Sequence, residues 1–208
     1  MKLTAPTNSE LSDLSDGQLW NELKKGNPDV LNIFFRIYYN DLYFYGTKLV
    51  KDKNLIIDTI QDVFSNLWEG KEKLSDVQYI KAYLFKIFRN RLLKASQKNI
   101  ILFPLKDSRE LPEKELIISH EDMIIEQEIK SQISKTIHIV LEELTEKQKE
   151  IIYLRFYCNL SNTEISQTLS INKQSVSNLL NRALNTFRKK LNNSDLSLVI
   201  SSSYPAPE

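Results

Sequence analysis

Residues 161–191, SNTEISQTLSINKQSVSNLLNRALNTFRKKL, decide the fold of the C-terminal part of the chain. Ser161 is followed three residues later by Glu164, a capping-box spacing that predicts a short helix over 163–169. A tight connection over 170–173 follows, and Asn172 in it is a suitable N-cap for a longer helix. A short capped helix, a tight turn and a longer helix together predict a helix-turn-helix.

The longer helix of this segment is predicted to be strongly amphipathic. Its apolar residues, from Val176 to Leu191, fall on one arc of a helical wheel. The opposite face carries amides, hydroxyls and guanidinium groups and no acid, so it can read base edges and grip phosphates. We therefore expect this helix to enter a DNA major groove. The alternative is a helical hairpin with an outer face that is merely polar.

Composition points to a mostly helical protein. The chain has 208 residues, of which only 4 are Gly and 6 are Pro, fewer turn residues than all-β folds usually need. Its single Cys excludes an intramolecular disulfide and a Cys-rich metal site, and fits a reducing cytoplasm. No segment is apolar enough to span a bilayer, and the N-terminus lacks the apolar core of a signal peptide. We therefore expect a cytoplasmic protein without membrane insertion.

Helical periodicity extends over the N-terminal half. Helices are predicted after Ser15-Asp16, after Asn27-Pro28, from about 54 to 69 and from about 77 to 96. Residues 99–116 hold two prolines and no helical period, as in an extended linker, and a helix is expected to resume near 122. The fold expected is all-α, with two helical domains joined by an acidic linker. The predicted boundaries are 16–98 for the first domain, 99–125 for the linker, 126–192 for the second domain and 193–208 for a disordered tail.

Charge is distributed in blocks. Residues 79–98 and 172–191 are basic and contain no acid, whereas residues 106–128 hold eight acids against three bases. One basic block is more often a solvated helix face, but two of them favour a polyanionic partner. Aromatics alternate with cations over 79–89, an arrangement that could stack unpaired bases and hold their backbone. A helix core is the alternative for those rings.

Three segments resemble the extracytoplasmic-function sigma factors of bacteria, in the sigma-70 family. Residues 57–68, IDTIQDVFSNLW, resemble the region 2 signature, and residues 82–90, AYLFKIFRN, resemble the helix that follows it. Residues 144–191, which begin LTEKQ, resemble region 4. Departures from the family pattern are Ile57 in place of an acid, Phe88 in place of Ala, and Cys158-Asn159-Leu160 where Gly is common.

The resemblance implies a function for each segment. Region 2 would dock on core RNA polymerase and open the −10 element, region 4 would bind the −35 element, and the acidic linker would thread toward the polymerase active-site channel. The implied polymerase contacts are Gln61, Asp62 and Phe64. The implied −10 contacts are the loop after Trp68 and Lys81, Phe85, Lys86, Arg89 and Asn90. The implied −35 contacts are Lys173, Gln174, Ser177, Asn178, Asn181, Arg182 and Asn185.

The chain is not expected to be an enzyme. His120, His138 and Cys158 form no ligand cluster, and no phosphate-binding Gly loop or nucleophile elbow is present, so we expect no metal and no cofactor. The resemblance implies a promoter-recognition subunit held silent by an anti-sigma factor. Two other hypotheses stay open at this point. One is an autonomous helix-turn-helix regulator that dimerises or senses a ligand, and the other is an interaction scaffold that binds no DNA.

Overall fold

The computed structural model describes residues 14–96 and 140–190. The helices are α1 (Asp16–Lys24), α2 (Pro28–Leu49), α3 (Lys53–Glu69), a 3-10 turn (Lys71–Lys73), α4 (Ile80–Ala95), α5 (Glu146–Phe156), α6 (Asn162–Leu169) and α7 (Lys173–Lys190). Residues 140–143 are also helical. Within these described ranges there is no β-strand, which confirms the all-α prediction.

Local sequence signals set the helix boundaries in the N-terminal part. Gly26, at φ +86°, lies between α1 and α2, and the Asn27 side chain accepts a hydrogen bond from the Asp29 amide at 3.1 Å. Asp52 caps α3 in the same way, through the Leu55 amide. The predicted helices over 54–69 and 77–96 are confirmed within about three residues, with α4 beginning later than expected, at Ile80.

The core of the N-terminal part lies between α2, α3 and α4. Its largest fully buried side chains include Phe34, Tyr45, Ile56, Ile60, Phe85 and Phe88. Gly46 on α2 allows the three helices to approach closely. A Cβ at that position would lie 2.7 Å from Ile56 Cγ2, closer than real Cβ atoms approach, and 3.0 Å from Phe88 Cζ, tighter than most Cβ contacts.

Helix α6 packs with the N-terminal helices. One compact unit contains α1 to α4 together with Leu160–Lys173. The Thr168 hydroxyl on α6 donates to the Ala82 carbonyl of α4 at 3.4 Å, and Leu160 and Ile165 are fully buried. This compact unit combines α6 with a part of the chain that the sequence assigns to another domain. The boundaries 16–98 and 126–192 therefore stay a prediction.

The second compact unit has its own apolar cluster. Its described residues are 140–159 and 174–190. Leu144, Ile152 and Ala183 form the buried centre, and partly buried neighbours pack on it, namely Leu141, Phe156, Leu180, Leu184 and Phe187. The capping box that opens α5 is present, since the Thr145 amide donates to Gln148 Oε1 at 2.9 Å. The helix predicted to start at Glu146 is thus confirmed.

Several predictions fall on residues outside the described ranges. These are the linker over 99–125, the resumption of a helix near 122 and the tail over 193–208. Among the helices that the structure does describe, none combines the length and apolar character needed to cross a bilayer.

Candidate nucleic-acid interface

The polar face of α7 is open to solvent. Of the seven residues predicted to contact the −35 element, Ser177 is half-buried and the other six are exposed. Val176 and Ala183, two turns apart on the opposite face, are fully buried. This division arises because apolar residues recur at helical spacing on one side of α7 only. The structure thus presents these side chains together on one exposed surface.

Side-chain hydrogen bonds along this face link neighbouring amides and a cation. Gln174 Nε2 donates to Asn178 Oδ1 at 3.1 Å, one turn apart on α7. Arg188 Nη1 donates to Asn185 Oδ1 at 3.4 Å. The four side chains are exposed, so each bond can be exchanged for one to a base edge or a phosphate. The face carries no carboxylate that would repel DNA.

The turn that precedes α7 has a strained residue that the sequence did not reveal. Ser170, at φ +53°, adopts the left-handed conformation usually reserved for Gly at the end of a helix. The Ile171 amide donates to the Ser166 carbonyl at 3.1 Å, which closes the last turn of α6. The tight connection predicted over 170–173 is therefore formed with Ser in the position where Gly would have signalled it.

The predicted −10 face of α4 is less accessible than the α7 face. Asn90 is exposed, whereas Lys81, Lys86 and Arg89 are half-buried. Lys81 Nζ lies 2.7 Å from Asp41 Oδ2, so part of its charge is neutralised within the protein. Among these residues the structure leaves Asn90 and Lys86 as the simplest candidates for a DNA contact, with Arg89 engaged in interactions inside the protein.

Phe85, one of the implied −10 contacts, does not lie on the surface of α4 in this structure. Phe85 is fully buried, and its ring stacks on that of Tyr45 with centroids 5.4 Å apart and planes at 28°. A helical wheel assumes one buried side, but α4 packs against α2 and α3 and also against α6, so its buried arc is wider. Phe85 therefore belongs to the core, the alternative that the sequence left open for these rings.

Helix α6 lies against the cationic face of α4. Ala82, Lys86 and Arg89 share one face, because residues spaced by three and four are neighbours on a helix surface. Thr168, which is 1% exposed, donates its hydrogen bond at Ala82. Lys86 and Arg89 are half-buried on the side of α4 where α6 packs.

On α3, the three residues predicted to contact polymerase differ in exposure. Gln61 and Asp62 are exposed, but Phe64 is only 4% exposed. The ring of Phe35, on α2, covers Phe64 edge-on, with centroids 5.2 Å apart and planes at 68°. Phe35 itself is 36% exposed. Phe64 is thus covered in this structure and its contact with polymerase stays a prediction, whereas Phe35 is an exposed aromatic residue that sequence reasoning missed.

Tyr38, on α2, is held in its neutral form. Burial raises the pKa of the Tyr38 phenol, and the nearby carboxylates of Asp16, Asp41 and Glu164 raise it further. Tyr38 is thus an uncharged core residue at neutral pH. Within residues 14–96 and 140–190, no three His, Cys, Asp or Glu side chains are placed to hold a metal ion. His120 and His138 lie outside these ranges, and Cys158 is buried.

The chain is similar to known proteins, in its C-terminal part and over most of its length. Residues 140–189 match the family "Sigma-70, region 4". The chain is 23% identical over 175 residues to the ECF RNA polymerase sigma factor SigX of Bacillus subtilis (strain 168), covering 78% of this chain and 84% of SigX. It is 25% identical over 134 residues to the RNA polymerase sigma factor SigZ of the same organism, covering 64% of this chain and 71% of SigZ.

The fold also resembles a solved structure, that of CnrH in complex with the cytosolic domain of CnrY. The TM-score is 0.54 at 15% identity, and the likeness covers 91% of this chain and 99% of that one. Because it covers 91% of this chain, the likeness extends over both helical units. Taken together, the region 4 match and the two relatives support an extracytoplasmic-function sigma factor of the sigma-70 family.

Proposed function

We propose that this sigma factor selects promoters by contacting core RNA polymerase through α3 and DNA through α4, the 70–79 loop and α7. As a member of its family it serves promoter recognition and transcription initiation, and it is not an enzyme. The observation that carries the residue-level proposal is the exposed, acid-free polar face of α7, which falls inside the region matched to sigma-70 region 4.

For the −35 element, the proposed contacts are the seven polar residues on α7 between Lys173 and Asn185. Amide and guanidinium groups can make paired hydrogen bonds to base edges, and Lys173 at the start of the helix suits a phosphate. The apolar cluster around Ala183 supports the opposite side of the helix, so the polar face is free to enter a groove.

For polymerase docking, the proposed contacts are Gln61 and Asp62. Phe35 replaces Phe64 as the aromatic member, because Phe35 is the exposed ring of that pair. Replacing Asp62 with Arg is expected to reduce co-purification with core polymerase without unfolding the protein, since Asp62 is exposed. The matched charge change Glu72→Arg, on the exposed 3-10 turn, should leave co-purification unchanged. Normal association of the Asp62→Arg variant would remove the docking assignment.

For the −10 element, the proposed contacts are Lys86, Asn90 and the 70–79 loop, with Lys81 and Arg89 as half-buried neighbours. Capture of a base from an opened duplex requires a few kcal/mol for unstacking, which polar groups near the strand must offset. The proposed domains are 16–98 for region 2 and 126–192 for region 4, with an acidic linker over 99–125 and a tail over 193–208.

The proposed partners are core RNA polymerase, promoter DNA and an anti-sigma factor. CnrH, whose fold this chain shares, was solved in complex with the cytosolic domain of CnrY, a pairing that supports a protein partner for this chain besides polymerase. We place the protein in the cytoplasm, where a polymerase subunit acts, and we propose no cofactor.

Run-off transcription with purified core polymerase over a genomic promoter library tests the proposed function. We expect the chain to confer start sites that share a −10 and a −35 element, and to bind those promoters tightly only together with the polymerase. An autonomous regulator would instead bind duplex operator alone, as a symmetric dimer. A scaffold would show little salt dependence in any DNA association. Failure to confer start-site choice would contradict the proposal.

A further inference from the structure

Residues 70–79 form the loop between α3 and α4, and they hold little regular structure. The first half is ordered by its own backbone, since the Lys73 amide donates to the Gly70 carbonyl and the Leu74 amide to the Lys71 carbonyl. The second half has no regular structure and exposes Ser75, Asp76 and Gln78. A loop of this kind needs contacts from elsewhere to keep one conformation.

A buried tryptophan from α1 supplies the main contact. The Trp20 indole Nε1–H donates to the Ser75 carbonyl at 3.0 Å, and the Trp20 side chain is 1% exposed. Its ring meets Tyr83 of α4 edge-on at 5.5 Å and Phe34 of α2 at 6.3 Å. A buried N–H without an acceptor is costly, so the indole fixes the position of the Ser75 carbonyl relative to both helices.

Two further contacts from the end of α1 reach the same loop. Lys24 Nζ lies 2.6 Å from Asp76 Oδ1, although Asp76 is 88% exposed and such a pair is weak by itself. Gly26, in the turn after α1, faces Lys71, where an added Cβ would lie 3.2 Å from Lys71 Cε. Lys71 Nζ in turn lies 4.3 Å from the centroid of the Trp68 ring. Both halves of the loop are thus held against α1 and the turn that follows it.

We infer that α1 is a positioning element for −10 recognition, which holds the 70–79 loop in one conformation through Trp20, with Lys24 and the Gly26 turn as secondary supports. The inference rests on the proposed function, in which this loop meets the opened strand. Exposed polar side chains on the loop, such as Lys73 and Gln78, can contact a phosphate or a base edge. The α1 residues act through the loop and touch no DNA.

The test measures transcription by the full chain with core polymerase from two promoter panels, one varied in the −10 element and one in the −35 element. Trp20→Phe keeps an aromatic ring but removes the N–H donor. Discrimination among −10 variants is expected to fall roughly twofold to tenfold, the range for one hydrogen bond. Discrimination among −35 variants and co-purification with polymerase are expected to stay unchanged.

The ion pair offers a matched control and a rescue. Lys24→Gln is expected to lower −10 discrimination by roughly twofold or less, as for an exposed pair. Lys25→Gln should have no effect, because Lys25, which directly follows α1, pairs with Glu22 of α1 at 2.6 Å and does not contact the loop through that pair. Lys24→Glu combined with Asp76→Lys reverses the pair, and should restore discrimination that Lys24→Glu alone reduces.

Each outcome decides for or against the inference. If Trp20→Phe lowers transcription equally at all promoters, in step with its loss of thermal stability, α1 only stabilises the fold and the inference is overturned. An unchanged −10 discrimination in a folded Trp20→Phe variant overturns it as well. Both Trp20→Phe results would leave the proposed function intact. A wild-type chain that selects no promoter would instead overturn the proposed function together with the inference.

Discussion

Helices α4 and α7 share one sequence feature and have different surroundings. Both are basic and free of acids, and they are 16 and 18 residues long. The buried residues of α4 spread over about 200° of its circumference at 100° per residue, and its cations are half-buried. In α7 the fully buried residues, Val176 and Ala183, lie on one side of the helix two turns apart, and the polar face is exposed. The number of cations therefore does not predict an accessible face, but the spread of apolar positions does.

The largest effect that separates the two helices is on stability. Phe85→Ala removes a fully buried ring from α4 and should lower the free energy of unfolding by about 3–5 kcal/mol. Asn181→Ala, on the exposed face of α7, should change it by no more than about 0.5 kcal/mol. Denaturant unfolding measures both. A loss below about 1 kcal/mol for Phe85→Ala would show that α4 is not buried on the side described.

The next effect concerns DNA recognition by α7. Replacing Asn178 and Arg182 with Ala should weaken −35 recognition by about 1–3 kcal/mol for each base that is no longer hydrogen-bonded. Competition between promoter variants at one salt concentration measures this weakening. As a control, Lys189→Ala, one turn beyond the predicted contacts on α7, should leave the ranking of promoters unchanged, because a phosphate contact carries no sequence information. Unchanged selectivity in the double variant would mean that the face is misassigned.

The contact between α6 and α4 predicts a smaller effect. Thr168→Val keeps the shape of the side chain but removes its hydrogen bond to Ala82, and should lower the free energy of unfolding by about 0.5–1.5 kcal/mol. Thr186→Val on α7 is the matched control, because the Thr186 hydroxyl bonds to the Arg182 carbonyl of its own helix in an exposed setting. Equal losses in both variants would contradict a specific contribution from the contact between α6 and α4.

The smallest effect compares one cation from each helix. Lys86→Gln should reduce the slope of log affinity against log salt by about 0.7, the value for one phosphate of a single strand. Lys173→Gln should reduce it by about 0.9, as for duplex DNA. Both are measured on complexes with polymerase, on opened and on duplex templates. If the slope for Lys86→Gln equals that of the wild-type chain, Lys86 makes no phosphate contact.

Helix positions and types were predictable because their signals are local. Asn27-Pro28 starts α2, the capping boxes at Thr145 and Ser161 start α5 and α6, and each signal lies within four residues of the boundary it sets. The exposed face of α7 was predictable for the same reason, since a single apolar stripe leaves the other side free.

The burial of individual rings was not predictable, because it depends on which helices meet. Phe64 lies under Phe35, and Phe85 lies on Tyr45, contacts between segments far apart in sequence. The packing of α6 on α4 likewise joins residues 86 positions apart. Helical periodicity contains no information on a second neighbouring helix, so the sequence could not decide whether Phe85 faces a DNA strand or the core.

Gly46 lies where α2 contacts both α3 and α4 in the N-terminal unit. Its missing methyl lets α2 touch Ile56 of α3 and Phe88 of α4, the helices proposed for polymerase and for DNA. A single Gly46→Ala exchange would overlap Ile56 and crowd the Phe88 ring, so it disturbs α3 and α4 at once, even though residue 46 is buried and is not a proposed contact to either partner. In a genetic screen such an allele would impair assembly and strand opening together, and so could be mistaken for two separate lesions.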